Sequence, residues 1–274
     1  MSLNTAIRRS LRDSATSFGF WQTLPSSALT RTVLRSSAAV SGGAFTWVVV
    51  DAEHGLIVDK DYYELTTAAA SEGASPIVRV PWGEEWLIKR ALDAGAHGIV
   101  TPMCHSPADA AKIVQYCKYP PLGSRGYGPM FSPHSFPAAD PNSDYVAGAQ
   151  NELMVIVQIE SRPGLESVEE IARVDGIDAL LIGPFDLALQ TGLQRAGQEH
   201  EAAIQRILNA AHAAGKKCAI FCTDGSDART RVVQGFDMVS VNTDVGVLGS
   251  AMSKELITAR DGVSSGSGKT SGGY

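Results

Sequence analysis

Two groups of polar residues interrupt otherwise apolar runs, and their types are those that move protons and hold cations. The first is DAEHG at 51–55, directly after the apolar run WVVV. Spaced three apart on the turn leaving a strand, Asp51 and His54 can pair as carboxylate and imidazole, the acid orienting the ring and stabilising its protonated form. The same spacing also suits an aspartate opening a helix with a surface histidine nearby. The second group couples Glu160, which closes LMVIVQIE, with Asp186, which closes ALLIGPFD. On neighbouring parallel strands about 4.8 Å apart, their carboxylates would converge on one cation in a Mg²⁺- or Mn²⁺-like arrangement. Positions would stay open for water or a chelating 2-oxo acid. Ion pairs with basic neighbours such as Arg162 are the alternative.

Arg79 lies in PIVRVP between apolar residues, where an unpaired guanidinium would be costly. Its partner is either a substrate oxygen or a structural carboxylate, for which Asp93 on the next helix is a candidate. In GPFD, Gly183 allows a tight turn that would aim the N–H groups of Phe185 and Asp186 at a carboxylate. No P-loop or GxGxxG follows a strand, no GxSxG elbow occurs, and no lysine sits inside an expected strand core. Phosphate cradling, serine hydrolysis and Schiff-base chemistry are therefore disfavoured.

These residues need a scaffold, and the chain alternates short β-rich runs with longer helical patterns. The expected strands are 18–24, 45–51, 76–81, 98–103, 153–160, 179–186, 217–223 and 238–243, with helices between them over stretches such as 59–72, 85–94, 107–118, 164–173, 200–214 and 226–234. Eight strand–helix units in 274 residues predict a single α/β domain, a (β/α)8 TIM barrel spanning 1–262. An open doubly wound sheet fits the pattern too. Asp51, Arg79, Glu160 and Asp186 then stand at or near C-terminal strand ends, where barrel enzymes assemble their active sites. Leu3, Ile7 and Leu11 predict an additional amphipathic N-terminal helix, and the Gly/Ser-rich stretch 263–274 a flexible tail. The long connection Tyr119–Asn151 reads as a lid or substrate wall, with Arg125, Tyr127 and His134 facing the far end of the substrate.

A net charge of −6, with no Lys/Arg cluster, argues against nucleic acid, and no run spans a membrane. Four scattered cysteines in apolar segments suit buried thiols in a reducing compartment, so a cytoplasmic protein is expected. Arg8, Arg9 and Arg12 leave mitochondrial targeting open.

WVVVDAEHG, VRVP, LDAGAHGIVTPM, YPPLGSRGYG, VQIESRPGLE and DALLIGPFDL, in that order, resemble the HpcH/HpaI aldolase family of class II, metal-dependent 2-oxo acid aldolases, from about Phe18 to Ile257. The resemblance implies a (β/α)8 barrel in a homo-oligomer, hexamer or trimer, with the last helix swapped between partners. It implies a carbon–carbon lyase that works through a pyruvate enolate, with Mg²⁺, Mn²⁺ or Co²⁺ as cofactor, a 2-oxo acid (pyruvate or oxaloacetate) and an aldehyde as substrates. On that basis Glu160 and Asp186 bind the metal, Arg79 steadies the enolate oxygen, and His54 backed by Asp51 is the base. Gln158, Gly183 and the backbone of Phe185 and Asp186 hold the substrate. Phe185 replaces a residue that is small in many relatives, and Trp47, Phe131 and Phe136 would add aromatic walls. These departures leave the second substrate open. An oxaloacetate decarboxylase or an enolate-coupling synthase like the fungal macrophomate synthase branch would share every residue named. A barrel that binds a 2-oxo acid without chemistry is the competing class.

Overall fold

In this computed structural model, which describes residues 3–13, 16–41, 43–136 and 144–261, eight parallel strands close into a barrel. The strands are β1 (Ser17–Gln22), β2 (Trp47–Asp51), β3 (Ser75–Arg79), β4 (Gly98–Thr101), β5 (Met154–Ile159), β6 (Ala179–Ile182), β7 (Lys217–Phe221) and β8 (Met238–Thr243). Each pairs with the next, and β8 pairs back onto β1, so the open-sheet alternative does not hold. The expected tail, 263–274, lies outside the described residues, as does part of the Tyr119–Asn151 connection.

The period-two pleat explains where the chemistry sits. Trp47, Val49, Ile77, Val100, Met154, Ile156, Leu181 and Ala219 share one packed cluster inside the barrel. Their intervening neighbours, among them Val48, Val50, Val78, Ile99, Val155, Val157 and Ile220, pack outward beneath the helices. Following the inward parity upward, Trp47–Val49 leads to Asp51, Ile77 to Arg79, and Met154–Ile156 to Gln158 and Glu160. The barrel is therefore apolar through its body and polar at its C-terminal rim.

The N-terminal helix, Ala6–Arg12, turns Ile7 and Leu11 into the inner cluster and seals the opposite end. Gly19 makes room for this floor: a Cβ there would stand 2.1 Å from the Trp47 ring. The four cysteines are free and buried, as expected.

One difference from the expected elements matters. The strand foreseen over 179–186 stops at Ile182, because Gly183 caps and Pro184 opens a helix, Pro184–Thr191. A proline at N1 cannot donate to a ladder and is pre-set for a helix. Asp186 thus sits in the first turn of a helix rather than at a strand end. The last helix, Asp244–Asp261, leaves the barrel with Val245, Leu248, Met252 and Leu256 each about half exposed. Beside its root lies an apolar groove of about 520 Å³, lined in part by Phe20, Leu29, Val33 and Phe45. Among the described residues, no helix is long and apolar enough to cross a membrane.

Candidate active site

At the C-terminal rim a cavity of about 260 Å³ is lined by Trp21, Thr23, Asp51, His54, Arg79, Gln158, Gly183, Pro184, Phe185, Asp186, Phe221 and Thr243. Its most ordered feature follows from strand register. Asp51 of β2 and Arg79 of β3 stand directly opposite one another, and Arg79 forks onto the carboxylate, Nε to Oδ1 at 2.8 Å and Nη2 to Oδ2 at 2.7 Å. Glu53 Oε2 lies 2.9 Å from Nη1, and the Trp21 ring lies under the guanidinium, 4.3 Å from ring centroid to Cζ. Two carboxylates and an indole therefore fix this arginine, and a guanidinium still has N–H groups to spare.

Asp93, the carboxylate first paired with Arg79, instead binds Arg125. Asp51 is likewise used differently from expectation. Its Oδ1 accepts the backbone N–H groups of Glu53 (3.1 Å) and His54 (3.3 Å), which shapes the turn. The carboxylate near the His54 imidazole is Glu53, at 3.8 Å. The imidazole itself is 65% exposed at the cavity rim. Glu53 was overlooked in the sequence because an acid inside DAEHG reads as a solvated turn residue. Burial, partly opposed by Arg79, raises its pKa.

Glu160 follows β5 and is buried. Met103 N–H donates to its Oε1 at 3.0 Å, and Gln158 Nε2 to its Oε2 at 2.6 Å. Met103 reaches it from a backbone with φ +52°, a region that side chains other than glycine rarely adopt. Burial pushes the Glu160 carboxyl up to about 7, and the nearby charges of Glu53 and Asp186 add to it. Gly183 leaves space for this carboxylate, since a Cβ would stand 2.2 Å from Glu160 Oε2. Its φ of −93° is ordinary, so the glycine is needed for room and not for a turn. In the helix that follows, Leu187 N–H is bonded to Gly183 O. The first-turn N–H groups of Phe185 and Asp186 have no partner within the helix, the usual situation at a helix start.

The donor set fits a divalent cation. Asp51 and Asp186 line the cavity, Glu53 and Glu160 lie close enough to feel the charge of Asp186, Arg79 is the buried cation among them, and Gln158 Oε1 is a buried acceptor without a partner. Oxygen donors with surplus negative charge suit a hard cation. Among the described residues, no three His, Cys, Asp or Glu side chains converge as a preformed cage.

The loop residues do not join this site. Arg125 is fully buried, Nη2 bonded to Asp93 (2.7 Å) and the Tyr145 hydroxyl (3.1 Å), with its guanidinium over the Tyr119 ring. Tyr127 points to solvent, and His134 Nδ1 meets the Tyr63 hydroxyl at 2.9 Å. Trp47 and Phe136 are core residues, and Phe131 packs on Tyr63. The aromatic wall comes instead from Trp21 and Phe221 with Phe185. Inward parity on β1 and β7 was the signal that could have found the first two.

Residues 28–251 match the HpcH/HpaI aldolase/citrate lyase family. The chain is 36% identical over 217 residues to the hydroxypyruvate/pyruvate aldolase of Rhizorhabdus wittichii, covering 78% of this chain and 84% of that one. Among solved structures it is similar to an HpcH/HpaI aldolase/citrate lyase family protein from Burkholderia cenocepacia, with a TM-score of 0.84 and 33% identity over 94% of this chain and 100% of that one. It is also similar to macrophomate synthase, with a TM-score of 0.81 and 26% identity over 96% and 90% of the two chains.

Proposed function

This chain belongs to the HpcH/HpaI aldolase/citrate lyase family, and we propose that within it the protein is a divalent-metal-dependent aldolase that forms or cleaves a 4-hydroxy-2-oxo acid through a pyruvate enolate. The observation that carries the reading is one convergence. A fixed guanidinium, a rim imidazole and a helix start rich in free N–H groups meet beside crowded carboxylates in one cavity. Glu160 and Asp186 would hold the cation, which when bound polarises the 2-oxo group and lowers the cost of losing an α-proton.

The chain's own residues do the rest. The N–H groups of Phe185 and Asp186 hold the pyruvate carboxylate at the helix start, where anions are favoured. Gln158 presents its free Oε1 beside them. Arg79, unable to swing away from Asp51 and Glu53, offsets the charge that builds on the enolate oxygen. His54, open to solvent at the rim, moves the methyl proton. Asp51 supports this chemistry by fixing Arg79 and the turn that carries His54.

Likeness to macrophomate synthase supports a second reading, enolate coupling or oxaloacetate decarboxylation on the same residues. The exposed apolar stripe on Asp244–Asp261, beside an apolar groove at its root, supports a homo-oligomer, hexamer or trimer, in which this helix packs against a second copy.

The deciding experiment is exchange of pyruvate's methyl protons in deuterated water, followed by NMR. Exchange is expected with Mg²⁺, Mn²⁺ or Co²⁺ and is expected to stop on chelation. Exchange that survives complete metal removal would sink the metal-dependent reading, and no exchange under any condition would sink the enolate. Turnover of oxaloacetate against 4-hydroxy-2-oxo acids then separates the two readings.

A further inference from the structure

β1 and β8 pair in step through the body of the barrel, Ser17 with Met238 and Gly19 with Ser240, but Trp21 then meets Thr243, so β8 spends one residue more than β1 where the cavity begins. A slip of this kind interrupts the ladder and leaves backbone groups for side chains to satisfy. Asp244, the first residue of the last helix, does so. Its buried carboxylate accepts the backbone N–H groups of Thr23 (2.9 Å) and Leu24 (3.0 Å) on Oδ2 and the Thr23 hydroxyl (2.6 Å) on Oδ1. The N–H of Val245 completes the set on Oδ1 at 2.8 Å.

Thr23 passes this hold to a neighbouring turn. Its carbonyl accepts the N–H of Leu56 at 2.8 Å, and Gly55 lies so close that a Cβ would stand 2.9 Å from the same oxygen. The turn that carries His54 is thus held from one side by Asp51 and from the other by Thr23. Among the described residues the His54 ring makes no hydrogen bond of its own, with Glu53 at 3.8 Å, so its place follows from its backbone.

We propose, resting on the aldolase reading, that Asp244 is a positioning residue: through Thr23 it sets the turn that aims His54 at the methyl group of pyruvate. Thr23, His54 and Thr243 line the cavity, whereas Asp244 stands behind them. Its influence therefore falls on proton transfer and not on the cation or the pyruvate carboxylate, which are assigned to β5 and to the helix after β6. During exchange the imidazole takes a methyl proton, the C–H pair becomes the enolate π bond, and a deuteron from solvent returns to carbon. That transfer needs the two heavy atoms within about 3 Å, so a small displacement of the base is costly. Without Asp244, the N–H groups of Thr23 and Leu24 lose their partner and the loop is free to draw away from the turn.

The test uses the metal-loaded full chain with pyruvate in deuterated water and reads kcat and KM of methyl-proton exchange by NMR. Mn²⁺ affinity is read by electron paramagnetic resonance, folding by urea unfolding and assembly by light scattering. In Asp244→Ala, kcat per folded molecule is expected to fall about tenfold, with KM for pyruvate and Mn²⁺ affinity within about twofold of wild type. Asp244→Asn keeps one oxygen for Thr23 and Leu24 and is expected to lose about threefold; it carries the test if Asp244→Ala does not fold. In a His54→Ala background the same substitutions are expected to change the residual exchange by less than about twofold, because the base they aim is gone. A wild-type kcat in Asp244→Asn, an equal loss with and without His54, a loss in KM or Mn²⁺ affinity in place of kcat, or a loss found only where the oligomer has dissociated overturns the positioning role and leaves the aldolase reading standing. Absence of wild-type exchange overturns both.

Discussion

At the end of β3, Arg79 spreads between Asp51 and Glu53 above the Trp21 ring. Beneath the long connection before β5, Arg125 gives its Nη2 to Asp93 and Tyr145 and lies over the Tyr119 ring. The two settings use the same interactions: burial, a carboxylate and an aromatic face. They differ in access. Arg79 opens onto a cavity with more carboxylates than cations, whereas Arg125 is enclosed, its Nε and Nη1 without hydrogen-bond partners. A buried arginine is thus a catalytic candidate only where a ligand can reach it. Otherwise it ties elements together, and its free donors are tolerated because the rest of the network holds it.

Exchanging each guanidinium for a side chain that keeps part of its bulk separates the two settings. Arg79→Lys is expected to slow methyl-proton exchange by about 10²-fold or more, since a compact ammonium cannot keep the fork on Asp51 and still face the enolate oxygen. Near-normal exchange in a folded variant would move Arg79 into the structural class. Arg125→Met should do the reverse. Its urea midpoint is expected to fall by the equivalent of about 3 kcal/mol, because Asp93 and the two tyrosines lose their common partner. Exchange per folded molecule is expected to hold, and a selective loss of exchange would return the loop to the site.

A smaller effect is expected at a histidine in the packed network around Arg125. His97 stacks on Phe136 at 4.3 Å, and Phe136 packs on Tyr145, which bonds Arg125. Its Nε2–H donates to Ser135 O at 2.8 Å, and Nδ1 lies 3.2 Å from the Ser75 hydroxyl, so the neutral ring is satisfied. Burial lowers its pKa to about 4. The unfolded chain takes up this proton near pH 6.5 and the folded one does not, so the stability is complete above 6.5 and is lost as pH falls toward 4. At pH 5 the loss is on the order of 2 kcal/mol. Urea unfolding of wild type and His97→Gln at pH 7.5 and 5 checks it: the variant should show a shallower fall, and equal slopes would clear His97.

The sequence made the barrel legible because its apolar runs are buried on both faces, and inward parity carried each run up to a polar residue. Asp51, His54, Arg79, Gln158, Gly183, Phe185 and Asp186 line one cavity, and Glu160 is bonded to Gln158 without itself lining it. Partner choice was not legible. Arg79 meets Asp51 because β2 and β3 pair in that register, and register is a property of two strands that neither states alone. The long connection misled for a related reason. Its arginine, tyrosine and histidine look like substrate ligands, but Arg125 binds Asp93, the exposed Tyr127 lies beside the Tyr119 ring, and His134 meets Tyr63, contacts that are set by the fold.

The seam between β1 and β8 joins the first strand of the barrel to its last. Until Met238–Thr243 emerges, Ser17–Gln22 keeps one edge unpaired, and Ile7 and Leu11 have no finished floor to enter. The barrel is therefore most vulnerable just before its eighth strand is in place, when most of its apolar strands exist and the ring is still open. Closing that one seam is what removes the last open edge from which the strands could pair with another chain.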